Sequence, residues 1–242
     1  MSSRVHLVRH AESVHNVTKD FSTLDPSLTN VGIEQARQLI SNFTDASAIA
    51  VIITSPLKRA VQTTLLGFSH VLDKRNYPSD TNHGVDGGAK LIVDPDLQER
   101  SDLPCDTGSE RSELERTFQG VEFSILSGNW QAKEGTYSAD DAAVEARAKK
   151  VRRRLLEIAD ELKNENKKDI VVVTHGVFMK FLSEDSAIDL PGLARSLHSR
   201  SSSSYLQSAR YMMAGEEHHL GCFSFVGRAQ GLRIGQTPTQ LV

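Results

Sequence analysis

Two six-residue runs constrain this chain more than any other feature: Ile49-Ala50-Val51-Ile52-Ile53-Thr54 and Asp169-Ile170-Val171-Val172-Val173-Thr174. Neither alternates apolar with polar residues, so each reads as a strand buried on both faces. Such strands belong to parallel sheets covered by helices on either side. Val5-His6-Leu7-Val8 predicts a further strand, and Leu91-Ile92-Val93 an apolar one leading into an acidic turn. Helical patterns fill the intervals, from Leu28 to Phe43, from Pro56 to Leu72 and from Asp140 to Asn164. The second opens on a proline in its first turn, where the missing N–H costs nothing. The third carries Val144, Ala148, Val151, Leu155, Ala159 and Leu162 at steps of three or four, one apolar face. Alternating strands and helices of this kind predict an α/β fold, a three-layer α/β/α sandwich around a mostly parallel central sheet.

The chain has 242 residues, 38% of them hydrophobic, enough for one large core. We read residues 1–242 as a single domain with loop insertions near 76–89 and 196–204. The first is dense in turn formers and the second contains four consecutive serines. A formal charge of −3 supplies no field for general nucleic-acid binding. No run approaches the ~18 apolar residues of a membrane span. The stretch from Met1 to His10 lacks the apolar core of a secretory signal, so the expected location is cytoplasmic. Cys105 and Cys222 stand far apart without a CxxC spacing, which points to free thiols rather than a disulfide framework.

Chemistry gathers where the strands end. Ligands of open α/β sheets bind at the carboxyl ends of the strands, and here those ends carry Arg9-His10, Ser55 followed by Arg59, and His175-Gly176. Two imidazoles and two guanidiniums at one edge repel each other unless an anion balances them, so their convergence predicts an anion site.

These segments also resemble a known family. Leu7-Val8-Arg9-His10-Ala11-Glu12-Ser13-Val14-His15-Asn16 is similar to the LxRHGE(T/S)xxN signature of the histidine phosphatase superfamily, branch 1 type, which includes cofactor-dependent phosphoglycerate mutases. Leu28-Thr29-Asn30-Val31-Gly32-Ile33-Glu34-Gln35-Ala36 resembles its LTxxGxxQA segment, and Ser55-Pro56-Leu57-Lys58-Arg59-Ala60-Val61-Gln62-Thr63 its SPLxRAxQT segment. Val171-Val172-Val173-Thr174-His175-Gly176 is similar to the second-histidine motif, and the four occur in the family's order over most of Arg4 to Leu182. The resemblance implies a phosphoglycerate mutase-like fold and a metal-independent phosphatase acting on a small phosphate ester, with no cofactor.

By the same resemblance His10 is the nucleophile that forms a phosphohistidine. Arg9, Arg59, His175, Gly176 and Asn16 hold the phosphoryl oxygens, with Ser22 and Thr23 as further hydroxyls. Guanidinium forks match pairs of phosphoryl oxygens and stabilise the charge that develops in transfer. The proton donor to the leaving oxygen is Glu99, with Asp96 as its rival, since Leu97 stands where the family has a leucine two residues before its glutamate.

Some features depart from the pattern. Ala11 replaces the family's usual glycine, and Arg100 to Ser109 lacks the ER-x-YG stretch with which phosphoglycerate mutases grip a carboxylate. A mutase-type phosphotransferase is therefore the alternative rather than the first reading, beside a repurposed enzyme or a phosphate-binding module on the same fold. Thr107 and Glu110 suggest a capping box that starts a helix above the site, with Cys105 overlooking the pocket. His15, His218 and His219 show no spacing with carboxylates that would make a metal site. Both loop insertions are expected at the pocket mouth, where they would set substrate size.

Overall fold

The computed structural model describes residues 3–43, 45–183 and 222–226. Among these residues the sheet has five strands: β1 (Arg4–Arg9), β2 (Ile49–Thr54), β3 (Lys90–Val93), β4 (Asp169–Thr174) and β5 (Cys222–Val226), in the order β3-β2-β4-β1-β5. The first four are mutually parallel, and β5 closes the edge antiparallel to β1. The helices are α1 (Val14–Thr18), α2 (Asn30–Gln38), α3 (Lys58–Gly67), α4 (Arg111–Thr117), α5 (Asp141–Glu161) and α6 (Gly176–Ser183).

The uninterrupted apolar runs do what two-sided burial requires. Val171 and Val173 of β4 enter one core with Ile52, Ala60, Phe68 and Leu72, while Ile170 and Val172 enter another with Val144, Val151, Leu155 and Phe178. Helices α2 and α3 therefore cover one face and α5 and α6 the other, the expected three layers. A third cluster, Val61, Val93, Leu114, Phe118, Phe123, Leu126 and Trp130, seats the segment after Glu99 beside β3.

Helix limits contract relative to the sequence patterns. The segment from Leu28 begins its helix after Thr29, whose side chain accepts from Gly32 N, and tightens into a 3-10 turn, Leu39–Asn42. Thr107 does not cap α4. Its hydroxyl donates to Leu103 O, and Glu110 is the residue that precedes the helix.

The 76–89 segment lies at the wrong edge for a pocket mouth. Ala89 pairs with Leu72, Val85 with Asp73, and Lys167 Nζ donates to Gly87 O just before β4 begins. A segment that enters a parallel strand must sit at the amino edge of the sheet, opposite the carboxyl ends where Arg9, Ser55 and His175 emerge. The 196–204 segment lies outside the described residues, as do His218 and His219.

Candidate active site

His10 follows β1 and is buried, its backbone N–H donating to Thr174 O. Nδ1 lies 2.7 Å from the carbonyl of Ala11, which can only accept, so Nδ1 carries the proton. Nε2 is thereby left with its lone pair, and Arg59 Nε points at it from 3.2 Å. Burial, then the charges of Arg59 and Arg9, hold the imidazole well below its ordinary pKa. The ring is neutral and of fixed tautomer, with its Nε2 lone pair facing Arg59.

His175 packs its ring 5.1 Å from that of His10 and sets Nε2 2.8 Å from Ser55 Oγ. Among the described residues its Nδ1 is buried without a hydrogen-bond partner, and so is Arg9 Nε. Burial and then Arg59 keep His175 neutral, well below the usual histidine range. At Gly176 a Cβ would stand 3.3 Å from Arg9 Nε, a tight contact that the guanidinium would have to relieve by a few tenths of an ångström. The α6 backbone follows directly, and Glu99 caps it. Glu99 Oε2 accepts from Val177 N at 3.0 Å, while Oε1 accepts from Phe178 N and Arg100 N at 2.9 and 2.8 Å. Oε2 thus takes a single N–H and keeps one lone pair on which a proton can sit.

Arg59 is held on three sides. Besides His10, it donates from Nη1 to Cys105 O and from Nη2 to Asp106 Oδ1, each at 2.7 Å, and Ser101 Oγ donates to the other Asp106 oxygen. Asp25 ties this segment down by accepting from Lys58 N and Ser109 N. The Cys105 thiol is pushed up to about 11, chiefly by burial, which makes it a packed neutral group.

The first two motifs clasp one another around Gly32. A Cβ there would fall 1.9 Å from Glu12 O, so only glycine lets α2 approach the strand-to-helix turn that carries His10. Thr29 N donates to Glu12 O, Thr29 Oγ1 to Glu12 Oε1, and Glu12 N to Gln35 Oε1. From α3, Gln62 accepts from Leu28 N.

Of the residues singled out in the sequence, Arg9, His10, Arg59, Glu99, His175 and Gly176 come together. Asn16 comes near, but its amide is engaged: Oδ1 accepts from Ser13 N and Oγ, and Nδ2 faces His15 Nε2 at 3.1 Å. Burial holds His15 down to about 4, with its ring 6.3 Å from that of His10. Ser22 and Thr23 stay out. Both are exposed, and their hydroxyls turn back onto Asp20, because an Asx turn satisfies them locally. Asp96 is also elsewhere, accepting from Arg154 and Lys150 of α5 as an anchor between layers.

Two residues enter the site that the sequence did not flag. Asp106 belongs to a 3-10 turn with no motif of its own. Lys133 reaches in from an irregular segment and donates to Glu99 O at 2.8 Å. Burial and then Arg147 push it down to about 8.

The model of the histidine phosphatase superfamily (branch 1) matches residues 5–206. The chain belongs to that family. Among curated proteins it is 28% identical over 194 residues to a Schizosaccharomyces pombe protein named "Probable phosphatase", covering 76% of this chain and 81% of that one. An Arabidopsis thaliana phosphoglycerate mutase-like protein is 27% identical over 146 residues, 50% of this chain and 54% of its own. Among solved structures, mycobacterial hydrolase 1 overlays with a TM-score of 0.49 at 17% identity over 94% of this chain and 95% of its own. The alpha-ribazole phosphatase from Shigella flexneri gives 0.43 at 22%, over 73% of this chain and 76% of its own. Among the described residues no helix is long and apolar enough to cross a membrane.

Proposed function

We propose that this histidine phosphatase family member hydrolyses a small phosphomonoester through a phosphohistidine on His10. One observation carries the reading: His10 has its proton fixed on Nδ1 by Ala11 O and its Nε2 turned toward Arg59. A nucleophile poised against a guanidinium is what phosphoryl transfer needs, since catalysis there is positioning plus charge stabilisation.

The steps follow from the placement of the groups. The phosphoryl group enters between His10 Nε2 and Arg59, whose N–H moves from the nitrogen to a phosphoryl oxygen. Arg9 Nε and His175 Nδ1 gain partners that the described residues do not give them. Nε2 attacks phosphorus, the phosphorus–ester oxygen bond breaks, and the leaving oxygen takes the proton of Glu99. Glu99, now a carboxylate, takes a proton from water as that water attacks the phosphohistidine, releasing inorganic phosphate and regenerating the imidazole. The sequence of steps calls on no metal. The relatives, one named a probable phosphatase and one a phosphoglycerate mutase-like protein, fit this chemistry.

The test is hydrolysis of 4-nitrophenyl phosphate with acid-quench trapping of the phosphoenzyme. His10→Ala is expected to abolish turnover and trapping while vanadate still binds through Arg9 and Arg59. Turnover by pure His10→Ala protein, or a wild type that hydrolyses no ester, would refute the reading.

A further inference from the structure

Among the described residues one trio of metal-binding side chains converges beside the crevice: His15, Cys105 and Asp106. A ring nitrogen of His15, the Cys105 Sγ and a carboxylate oxygen of Asp106 all lie within 4.8 Å of one another, and all three residues are buried. His15 lies in α1, whereas Cys105 and Asp106 share a 3-10 turn, Pro104–Asp106, that begins about ninety positions later. Sequence spacing therefore hides the trio, and His15 meets its carboxylate only in the fold.

The donor set is the one zinc prefers: imidazole nitrogen, thiolate sulfur and carboxylate oxygen, each at about 2.0–2.3 Å. Tetrahedral angles put such ligand atoms about 3.3–3.6 Å apart, so the trio closes on an ion by movements of about 1 Å. The imidazole is already prepared. Asn16 Oδ1 accepts from Ser13 N, so the amide group facing His15 Nε2 is Nδ2, a donor, and the ring proton sits on Nδ1, 2.9 Å from Ser13 Oγ. Nε2 thus carries the lone pair that a metal needs, and Nδ1 makes the kind of hydrogen bond that orients a metal-bound imidazole. Asp106 accepts from Arg59 on one oxygen and from Ser101 on the other, and each carboxylate oxygen has two lone pairs. A thiolate and a carboxylate together offset the two charges of the cation, the thiol proton passing to water as the sulfur binds.

We propose that His15, Cys105 and Asp106 form a binding site for a thiophilic divalent cation of the zinc type, and that its occupancy displaces Arg59 and slows the reaction. The site is regulatory, and no step of phosphoryl transfer passes through the ion. Its coupling to the crevice runs through one turn. Cys105 O and Asp106 Oδ1 are the two groups that hold the Arg59 guanidinium against His10 Nε2, and they belong to the residues that supply two of the three ligands. Drawing that turn toward His15, whose ring is 6.3 Å from that of His10, moves the supports of Arg59. A trio that was merely packed would bind no ion and would leave turnover indifferent to zinc.

The test uses the whole chain, stripped of metal by a chelator. Cobalt(II) reports the ligands: one equivalent should give the charge-transfer absorption of a cobalt–thiolate bond, and zinc should displace it. Cys105→Ala should abolish that band and His15→Asn should weaken cobalt binding at least about tenfold, while Cys222→Ser changes neither. X-ray absorption of the zinc-loaded wild type, which needs no variant to fold, should show one sulfur at about 2.3 Å beside nitrogen and oxygen at about 2.0–2.2 Å. A zinc shell without sulfur, a band that survives in Cys105→Ala, or equal cobalt affinity in folded His15→Asn overturns the site. Saturating zinc should lower 4-nitrophenyl phosphate turnover about ten- to a hundredfold in the wild type, and far less in Cys105→Ala at the same zinc concentration. Full turnover with the metal bound overturns the coupling to Arg59. A wild type that hydrolyses no ester would remove the phosphatase reading; the spectra then still decide the site, and vanadate affinity, expected to fall when zinc binds, decides the coupling.

Discussion

Acidification should destabilise this protein through its buried histidines, and His15 allows the size to be worked out. Its ring is 7% exposed and held at about 4 by burial and the charge of Arg59, against an ordinary value of 6.5. The folded pKa is lowered, so the unfolded chain binds the proton first and stability falls as pH drops below 6.5, with the full penalty reached near 4. Each pH unit in that window is worth at most about 1.4 kcal/mol per group, so His15 alone contributes a loss of about 2 kcal/mol between pH 7 and 5. His10 and His175 are lowered for the same reason and add losses of the same sign. Domain stabilities are only ~5–15 kcal/mol, so these losses are a large share. Urea denaturation at pH 7 and pH 5 measures the effect, and His15→Asn should shrink the difference between the two by about 2 kcal/mol. An identical pH dependence in wild type and His15→Asn, or an imidazole proton resonance for His15 titrating near 6.5, would refute the reasoning.

Two further outcomes follow from the geometry. Glu99→Gln should slow alkyl phosphates by ~10²- to 10⁴-fold and aryl phosphates much less, because a good leaving group needs little protonation; equal losses on both would take the proton-donor role from Glu99. Gly108→Ala should destabilise the fold by about 3 kcal/mol in urea unfolding, since its Cβ would fall 1.9 Å from the buried Trp130 ring, and a change below about 0.5 kcal/mol would mean the ring moves freely.

Much of the site was legible because its residues sit at the ends of strands whose patterns are strong. Ile49 to Thr54 and Asp169 to Thr174 show two-sided burial in composition alone, and parallel strands carry their terminal residues to one edge. Arg9, His10, Arg59 and His175 therefore fall together once the strands are placed. Ser22 and Thr23 misled because a hydroxyl is equally suited to a phosphate or to a neighbouring aspartate, and Asp20, two or three residues away, has the higher effective concentration. The Thr107 to Glu110 spacing misled for a related reason: the Thr107 hydroxyl finds Leu103 O first.

Periodicity and motif order determined the α/β layering, the parallel sheet and the residues at its carboxyl edge, because local patterns of burial and backbone need are written residue by residue. Only the tertiary structure decided which charges face each other. Asp106 reaches Arg59 across 47 positions, Lys133 reaches Glu99 across 34, and Glu99 reaches the α6 backbone across 78 and 79. No spacing in the chain encodes such pairings, which arise when loops from separate strands are packed over one crevice. The tautomer of His10, the capping of α6 by Glu99 and the placement of 76–89 at the amino edge belong to the same class, since each depends on a neighbour that folding brings into contact.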